Sequence, residues 1–314
     1  MIVQGFIDLH THGTGKYDTR AGKPEHILKI AELQGEAGTG AILPTIYPAS
    51  IDEMRKNIEA VRLAKEAQQS AVSNNQSPPH PPLAKGGRRG GNLLALITHP
   101  TAAILGVHLE GPFLNPVLCG ALDEKSFVKP TVSSLKKLIG GYADIIKVIT
   151  IAPEMPGSLK VIEKCSELGI KVNMGHSNAT FKQAVDGKKA GATGITHLFN
   201  AMRPFHHREP GIAGLGLIDE DLYIEVIADG IHLHPKTIEL IFNRKRLDRI
   251  ILVSDSVKGS KTGKRAVYNK KGILCGSSIT ISDSVKVLKD IGIPDAEITE
   301  SATDNPARYI GLTL

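Results

Sequence analysis

The chain is 314 residues long and 41% hydrophobic, enough for one large α/β domain or two ordinary ones around a sizeable core. Its net charge of +6 does not mark a nucleic-acid binder: residues 73–92 carry Lys85, Arg88 and Arg89 without an acid, taking these three away leaves +3, and no aromatic residue interleaves them as a stacking platform would require. The absence of any run of about 18 apolar residues and of a secretory leader predicts a cytoplasmic chain with no membrane partner, and three widely spaced cysteines, Cys119, Cys165 and Cys275, give neither a disulfide framework nor a Cys-x-x-Cys site.

From residue 5 onward, short apolar runs alternate with amphipathic stretches, the pattern of a parallel sheet covered by helices. Strands are expected at 5–9, 41–46, 103–109, 145–151, 170–174, 194–198, 222–228 and 249–253. Helices are expected at 24–35, 51–69, 131–139, 157–168, 178–190 and 235–244. Eight such strands predict a (β/α)₈ TIM barrel, with residues 1–314 as a single catalytic domain and the active site at the C-terminal ends of the strands. A doubly wound open sheet would need a Gly-x-Gly-x-x-Gly turn after the first strand, and there is none. Beyond the eighth strand, 264–268 and 272–274 suggest a small hairpin, and 282–290 and 301–311 read as closing helices.

Residues 73–92 break the alternation. Prolines followed by glycines form neither a helix nor a central strand, so this stretch reads as a flexible surface insertion within the barrel. Doubling the length of a loop costs only about 0.6 kcal/mol. Excising residues 73–92 should therefore leave the melting temperature and the activity nearly unchanged, and a large fall in either would show that the segment packs on the barrel or serves its site.

The chemistry-bearing residues fall at strand ends. His10 and His12 are two apart after the first strand and share a side of an extended chain. His108 and Glu110 end the third, His176 the fifth and His197 the sixth; Asp229 and His232 follow the seventh, and Asp255 the eighth. The unit from Ile170 to Asn200 is strand, helix, strand, and its right-handed crossover lays the two strand ends side by side with their histidines facing one point. A single histidine is more often an ordinary hydrogen-bonded one. Repeated at strand end after strand end and accompanied by carboxylates, imidazoles suggest a hydrolytic divalent metal such as zinc, iron or cobalt, with a position left for water.

Assembled in this way, the motifs Gly5-Phe-Ile-Asp-Leu-His-Thr-His-Gly13, His108-Leu-Glu-Gly-Pro-Phe-Leu-Asn115, Gly175-His-Ser-Asn-Ala-Thr180, Thr196-His-Leu-Phe-Asn-Ala-Met202 and Ala228-Asp-Gly-Ile-His232 resemble the amidohydrolase superfamily, and within it the N-acetylglucosamine-6-phosphate deacetylase family. The resemblance runs from about residue 5 to the end, apart from the insertion. It implies hydrolysis of the acetamide of N-acetylglucosamine 6-phosphate to glucosamine 6-phosphate and acetate, in amino-sugar breakdown. It also implies one or two metals per chain, the principal one on Glu110, His176 and His197 and a second helped by His10 and His12. Asp255 would be the catalytic acid/base, and Ala121, Asn200, Ala201, Arg208 and His232 would contact the amino-sugar phosphate. In this family the arginine reaches a neighbouring subunit's substrate, so a homodimer is expected.

Three departures from the family pattern are legible. The reading expects a barrel without the small β-sandwich that family members build from flanking segments. Gly120-Ala121-Leu122 stands where Gly-Ala-His is usual, and Ser254-Asp255-Ser256 where Thr-Asp-Ala is usual. They keep two alternatives open: a deacylase of another N-acyl sugar or cyclic amide, and a truncated inactive homologue.

Overall fold

The computed structural model describes residues 5–73, 101–259 and 264–312, so nearly all of the Pro/Gly-rich stretch lies outside the described residues. Eight parallel strands follow one another around the sheet in chain order: Phe6–Thr11, Thr39–Ile46, a third split into Ala103–Ile104 and Val107–Glu110, Ile146–Ile151, Lys171–Met174, Gly194–Ile195, Tyr223–Ile227 and Ile250–Val253. The eighth returns to the first just beyond its own end. Asp255 N donates to His10 O at 2.8 Å and His12 N donates to Ser256 O at 2.8 Å, closing the barrel at the rim where the site lies.

A helix follows each strand: Pro24–Glu36, Ile51–Ser73, Val132–Ile139, Ser158–Glu167, Phe181–Lys189, Gly211–Ile218, Pro235–Arg244 and Ile281–Asp290. The expected (β/α)₈ barrel is the observed one. Local signals explain several helix starts: Pro24 and Pro235 lie in first turns, where a missing N–H costs nothing, and Thr180 with Gln183 forms a reciprocal capping box. None of the described helices is long and apolar enough to cross a membrane.

The sheet separates two cores. Ile7, Leu9, Ala41, Leu43, Val148, Ile227, Ile251 and Val253 pack together inside the barrel with Tyr309, while Ile42, Leu109, Ile149, Val172, Ile224 and Leu252 pack outward against the helices. Strands buried on both faces read as near-continuous apolar runs, which is why these were legible in the sequence.

Three of the departures from the expected elements have a visible physical cause. The third strand breaks at Leu105-Gly106, where a Cβ on Gly106 would stand 2.3 Å from Ile145 O. The sixth strand ends at Ile195 instead of continuing to 198, because His197 and Phe199 take positive φ values of 29° and 75°. The helix Gly211–Ile218 was not expected at all. Three of its eight residues are glycine, each disfavoured in a helix by about 1 kcal/mol. A Cβ on Gly216 would meet Leu198 at 2.7 Å and Ile195 at 2.9 Å, so its absence lets this helix seat directly on the sixth strand.

Candidate metal and active centre

The third, fifth and sixth strands deliver Glu110, His176 and His197 to one point. Glu110 Oε1 lies 3.0 Å from His176 Nε2 and 3.2 Å from His197 Nε2, and the two imidazole nitrogens are 3.2 Å apart. His176 Nδ1 donates to Leu118 O at 3.0 Å, so its Nε2 carries a lone pair into the cluster. His197 Nδ1 is buried and has no partner among the described residues.

His10 and His12 form the other half of the centre. Ile7 and Leu9 join the inner core, so strict alternation would turn His10 away from the barrel axis. A register shift between Asp8 and Thr11, with His10 N donating to Asp8 Oδ1 at 3.1 Å, re-aims it inward. His10 Nδ1 then donates to Glu225 Oε2 at 3.2 Å, and His12 Nδ1 to Thr45 O at 3.1 Å. Both Nε2 atoms are left as lone pairs, yet they face each other 3.2 Å apart, with Asp255 Oδ1 3.6 Å from each. Two lone pairs at that distance repel unless a cation lies between them, so the donor set fits a metal. Glu110 joins the halves, since its Oε2 is 3.2 Å from His12 Nε2. Among the described residues, each trio, His10/His12/Asp255 and Glu110/His176/His197, has donor atoms within 4.8 Å of one another and is able to hold an ion.

The electrostatics follow from burial. It pushes the Glu110 carboxyl up, but His176, His12 and His197 around it pull it down further, leaving it well below the usual carboxylate range. Burial drives His10 well below its ordinary value and His108 down to about 4, so both imidazoles are neutral, as ligands and hydrogen-bond acceptors must be. Asp255 is pushed well above the carboxylate range by burial and then by the nearby Glu110, Glu225, Asp8 and Asp229 carboxylates.

His176, His197, Phe199, Ala201 and Asp255 are the non-glycine residues with positive φ among the described residues; all five follow the fifth, sixth or eighth strand, and all but Phe199 lie at this centre. Each such position stores about 1–3 kcal/mol that the surrounding structure must compensate. At Asp255 the compensation is visible: its N donates to His10 O, and its O accepts from Ser277 N at 2.9 Å. The flanking serines belong to the same clamp. Ser254 Oγ donates to Asp8 Oδ2 at 2.5 Å, and Ser256 Oγ bonds Thr11 Oγ1 at 2.8 Å and accepts from Gln34 Nε2 at 3.2 Å.

Above the centre is a cleft of about 210 Å³ lined by His12, Glu110, His176, His197 and Asp255 together with Ala121, Leu122, Asn200, Ala201 and His232. It opens past Tyr47, Ala121, Leu122 and Cys275 into a neighbouring groove of about 720 Å³. His232 Nδ1 is held by Asp229 Oδ2 at 2.6 Å, which leaves Nε2 for a ligand. Arg208 is exposed and does not line the cleft; Glu209, its neighbour, instead accepts from Phe181 N and Gly211 N. Glu225, Asn173 and Tyr47 are residues of the centre that the sequence did not single out. The signal for Glu225 was a lone acid inside the apolar run 222–228.

The amidohydrolase family model matches residues 1–314. An N-acetylglucosamine-6-phosphate deacetylase of Lysinibacillus sphaericus is 30% identical over 99% of this chain and 77% of its own length, and an N-acetylgalactosamine-6-phosphate deacetylase of Escherichia coli O157:H7 is 29% identical over 99% and 78%. Among solved structures, a Mycobacterium smegmatis N-acetyl-D-glucosamine-6-phosphate deacetylase mutant in complex with N-acetyl-D-glucosamine-6-phosphate superposes with a TM-score of 0.81 at 25% identity, covering 99% of this chain and 78% of that one. A barrel of this topology, with histidines and carboxylates from six of its strands at one rim and a match along its whole length, belongs to the amidohydrolase family.

Proposed function

We propose that this chain hydrolyses the acetamide of N-acetylglucosamine 6-phosphate to glucosamine 6-phosphate and acetate, the reaction for which its Lysinibacillus sphaericus relative is named. The observation that carries the reading is the convergence of Glu110, His176, His197, His10, His12 and Asp255 beneath one cleft that also presents Asn200, Ala201 and His232. Residues 1–314 act here as a single catalytic barrel. A sugar carrying a doubly charged phosphate does not cross a membrane unaided, which supports a cytoplasmic setting.

Glu110, His176 and His197 would hold the principal divalent ion, and His10 and His12, beside Asp255, a second; zinc, iron and cobalt all suit neutral imidazole and carboxylate donors. When bound, such an ion supplies a nucleophile at neutral pH by lowering the pKa of water from about 15.7 to about 7. An acetamide has a very poor leaving group, so a proton must reach its nitrogen. Asp255 takes one from the attacking water and delivers it to the departing amine, a role worth about 10² to 10⁴ in rate. His232, fixed by Asp229, offers Nε2 to the substrate, and Ala121, Asn200 and Ala201 shape the wall around the sugar. Acetate release and metal content, measured together on N-acetylglucosamine 6-phosphate, test the reading. A fully metallated chain that releases no acetate overturns it.

The phosphate is assigned to Arg208 of a second copy. In its own chain this guanidinium lies away from the cleft, and Phe205, three residues earlier, is 53% exposed, an apolar side chain suited to burial in a homodimer. A guanidinium grips two phosphate oxygens at once. Arg208→Ala should lower kcat/KM for the 6-phosphate by about 10- to 100-fold, the worth of a charge-assisted pair, and far less for the unphosphorylated sugar. Mixing Arg208→Ala with Asp255→Asn should restore activity, because a hybrid dimer pairs one intact Asp255 cleft with one intact Arg208. Equal losses on both sugars, or no restoration, would refute the assignment.

Leu122 favours a second reading, in which another N-acyl sugar is preferred, because it puts an apolar side chain on the cleft wall. The relative that acts on the galactosamine isomer sets the comparison: a higher kcat/KM on N-acetylgalactosamine 6-phosphate than on its glucosamine isomer would decide for it.

A further inference from the structure

Glu225 lies in the middle of the seventh strand, buried to 1% exposure, and plays no part in the chemistry above. Three donors converge on its carboxylate. His10 Nδ1 is 3.2 Å from Oε2, Asn173 Nδ2 donates to Oε1 at 2.7 Å, and the backbone N–H of His197 also donates to it. Asn173 is fixed in turn by Tyr309, whose hydroxyl donates to Asn173 Oδ1 at 2.5 Å, so the amide must turn its NH₂ toward Glu225.

His10, His108 and Glu225 approach closely enough to suggest a further ion site. The hydrogen bonds argue against one. His108 Nδ1 donates to Leu9 O at 2.9 Å and its Nε2 accepts from Thr150 Oγ1 at 2.9 Å, leaving no lone pair for a metal. Glu225 therefore serves His10. The other ligands lack such backing among the described residues: His12 and His176 donate to backbone carbonyls, and His197 Nδ1 has no partner.

We infer that Glu225 is a positioning residue for the second metal site: by accepting the Nδ1 proton of His10 it fixes the tautomer and ring orientation that aim Nε2 beside His12 Nε2, and so governs whether a second ion is held. This rests on the two-metal reading of the centre. A carboxylate behind an imidazole ligand strengthens its donation, and loss of such an outer partner commonly lowers metal affinity 10- to 100-fold, by about that factor here. The effect should fall on the second ion, because the carboxylate backs the ring of His10, whereas it meets His197 only through the backbone N–H and leaves that imidazole untouched.

The test is Glu225→Gln, nearly the same in shape. If the amide oxygen faces His10, the hydrogen bond survives without its charge; if the NH₂ does, His10 must carry its proton on Nε2 and stops being a ligand. Metal-free wild type and variant are titrated with cobalt(II), followed by absorbance and chelator competition, with melting temperature as the control for folding. The expected result is a second dissociation constant weaker by about 10- to 100-fold and an unchanged first one. Asn173→Ala, which frees Oε1 without touching His10, should weaken the second ion by less, and it carries the test if the glutamine variant does not fold. A wild-type second constant in the folded variant overturns the inference, as does equal weakening of both ions. A wild type that shows a single binding step refutes the two-site reading and the inference with it.

Discussion

Glu110→Gln should purify with little metal and little activity. Its carboxylate is buried to 3% exposure and spans the centre, with Oε1 against His176 and His197 and Oε2 against His12. The amide keeps the shape but removes the negative charge that offsets a dication. It must also turn its NH₂ toward either His12 or His176, each of which offers a lone pair that should be directed at metal. That NH₂ occupies the lone pair and blocks the ion. Outer partners alone alter metal affinity by 10- to 100-fold, so loss of a carboxylate that would itself hold the ion should exceed about 100-fold. Metal per chain after dialysis, read beside turnover on the sugar phosphate, checks this. Wild-type metal content with wild-type turnover would remove Glu110 from the centre.

Much of this centre was legible because a barrel confines polar chemistry to strand ends. Apolar runs located the eight strands, and histidines and carboxylates just past them located the rim where Glu110, His176, His197, His10, His12 and Asp255 meet. What was not legible required contacts distant in sequence. Glu225 is a single acid in an apolar strand, and only the fold shows that it backs His10, 215 residues away. The inward turn of His10 depends on an irregular register that no period-2 pattern reports. The helix Gly211–Ile218 was hidden because propensity argues against its glycines, while packing against Leu198 and Ile195 requires them. The loop of Arg208 could be placed after the sixth strand, but its distance from its own cleft is a property of the folded chain.

Asp255→Asn should leave a folded, metal-binding chain that has lost its chemical step. The backbone at this position is held from both sides, by His10 O on the first strand and by Ser277 N in the strand Leu274–Ser277, which pairs antiparallel with Ala266–Tyr268, at a φ of 47° that asparagine adopts more readily than most residues. The amide therefore stands where the carboxylate stood. It cannot accept a proton from water or return one to the amine, so kcat should fall by about 10² to 10⁴ with KM little changed. Stability gives the test a second, opposite sign. In the metal-free chain, burial and the surrounding carboxylates raise the Asp255 pKa well above its unfolded value, so its contribution to folding is fully present below the unfolded pKa and is lost as pH rises through the folded one. Above that range asparagine removes an unfavourable buried charge, and the metal-free variant should melt no lower than wild type. If Asp255 were only a ligand, activity and the second ion would disappear together, and saturating metal would restore the rate. If it moves the proton, the rate stays low at full metal occupancy, whereas a near-normal kcat in the folded variant would exclude it from catalysis.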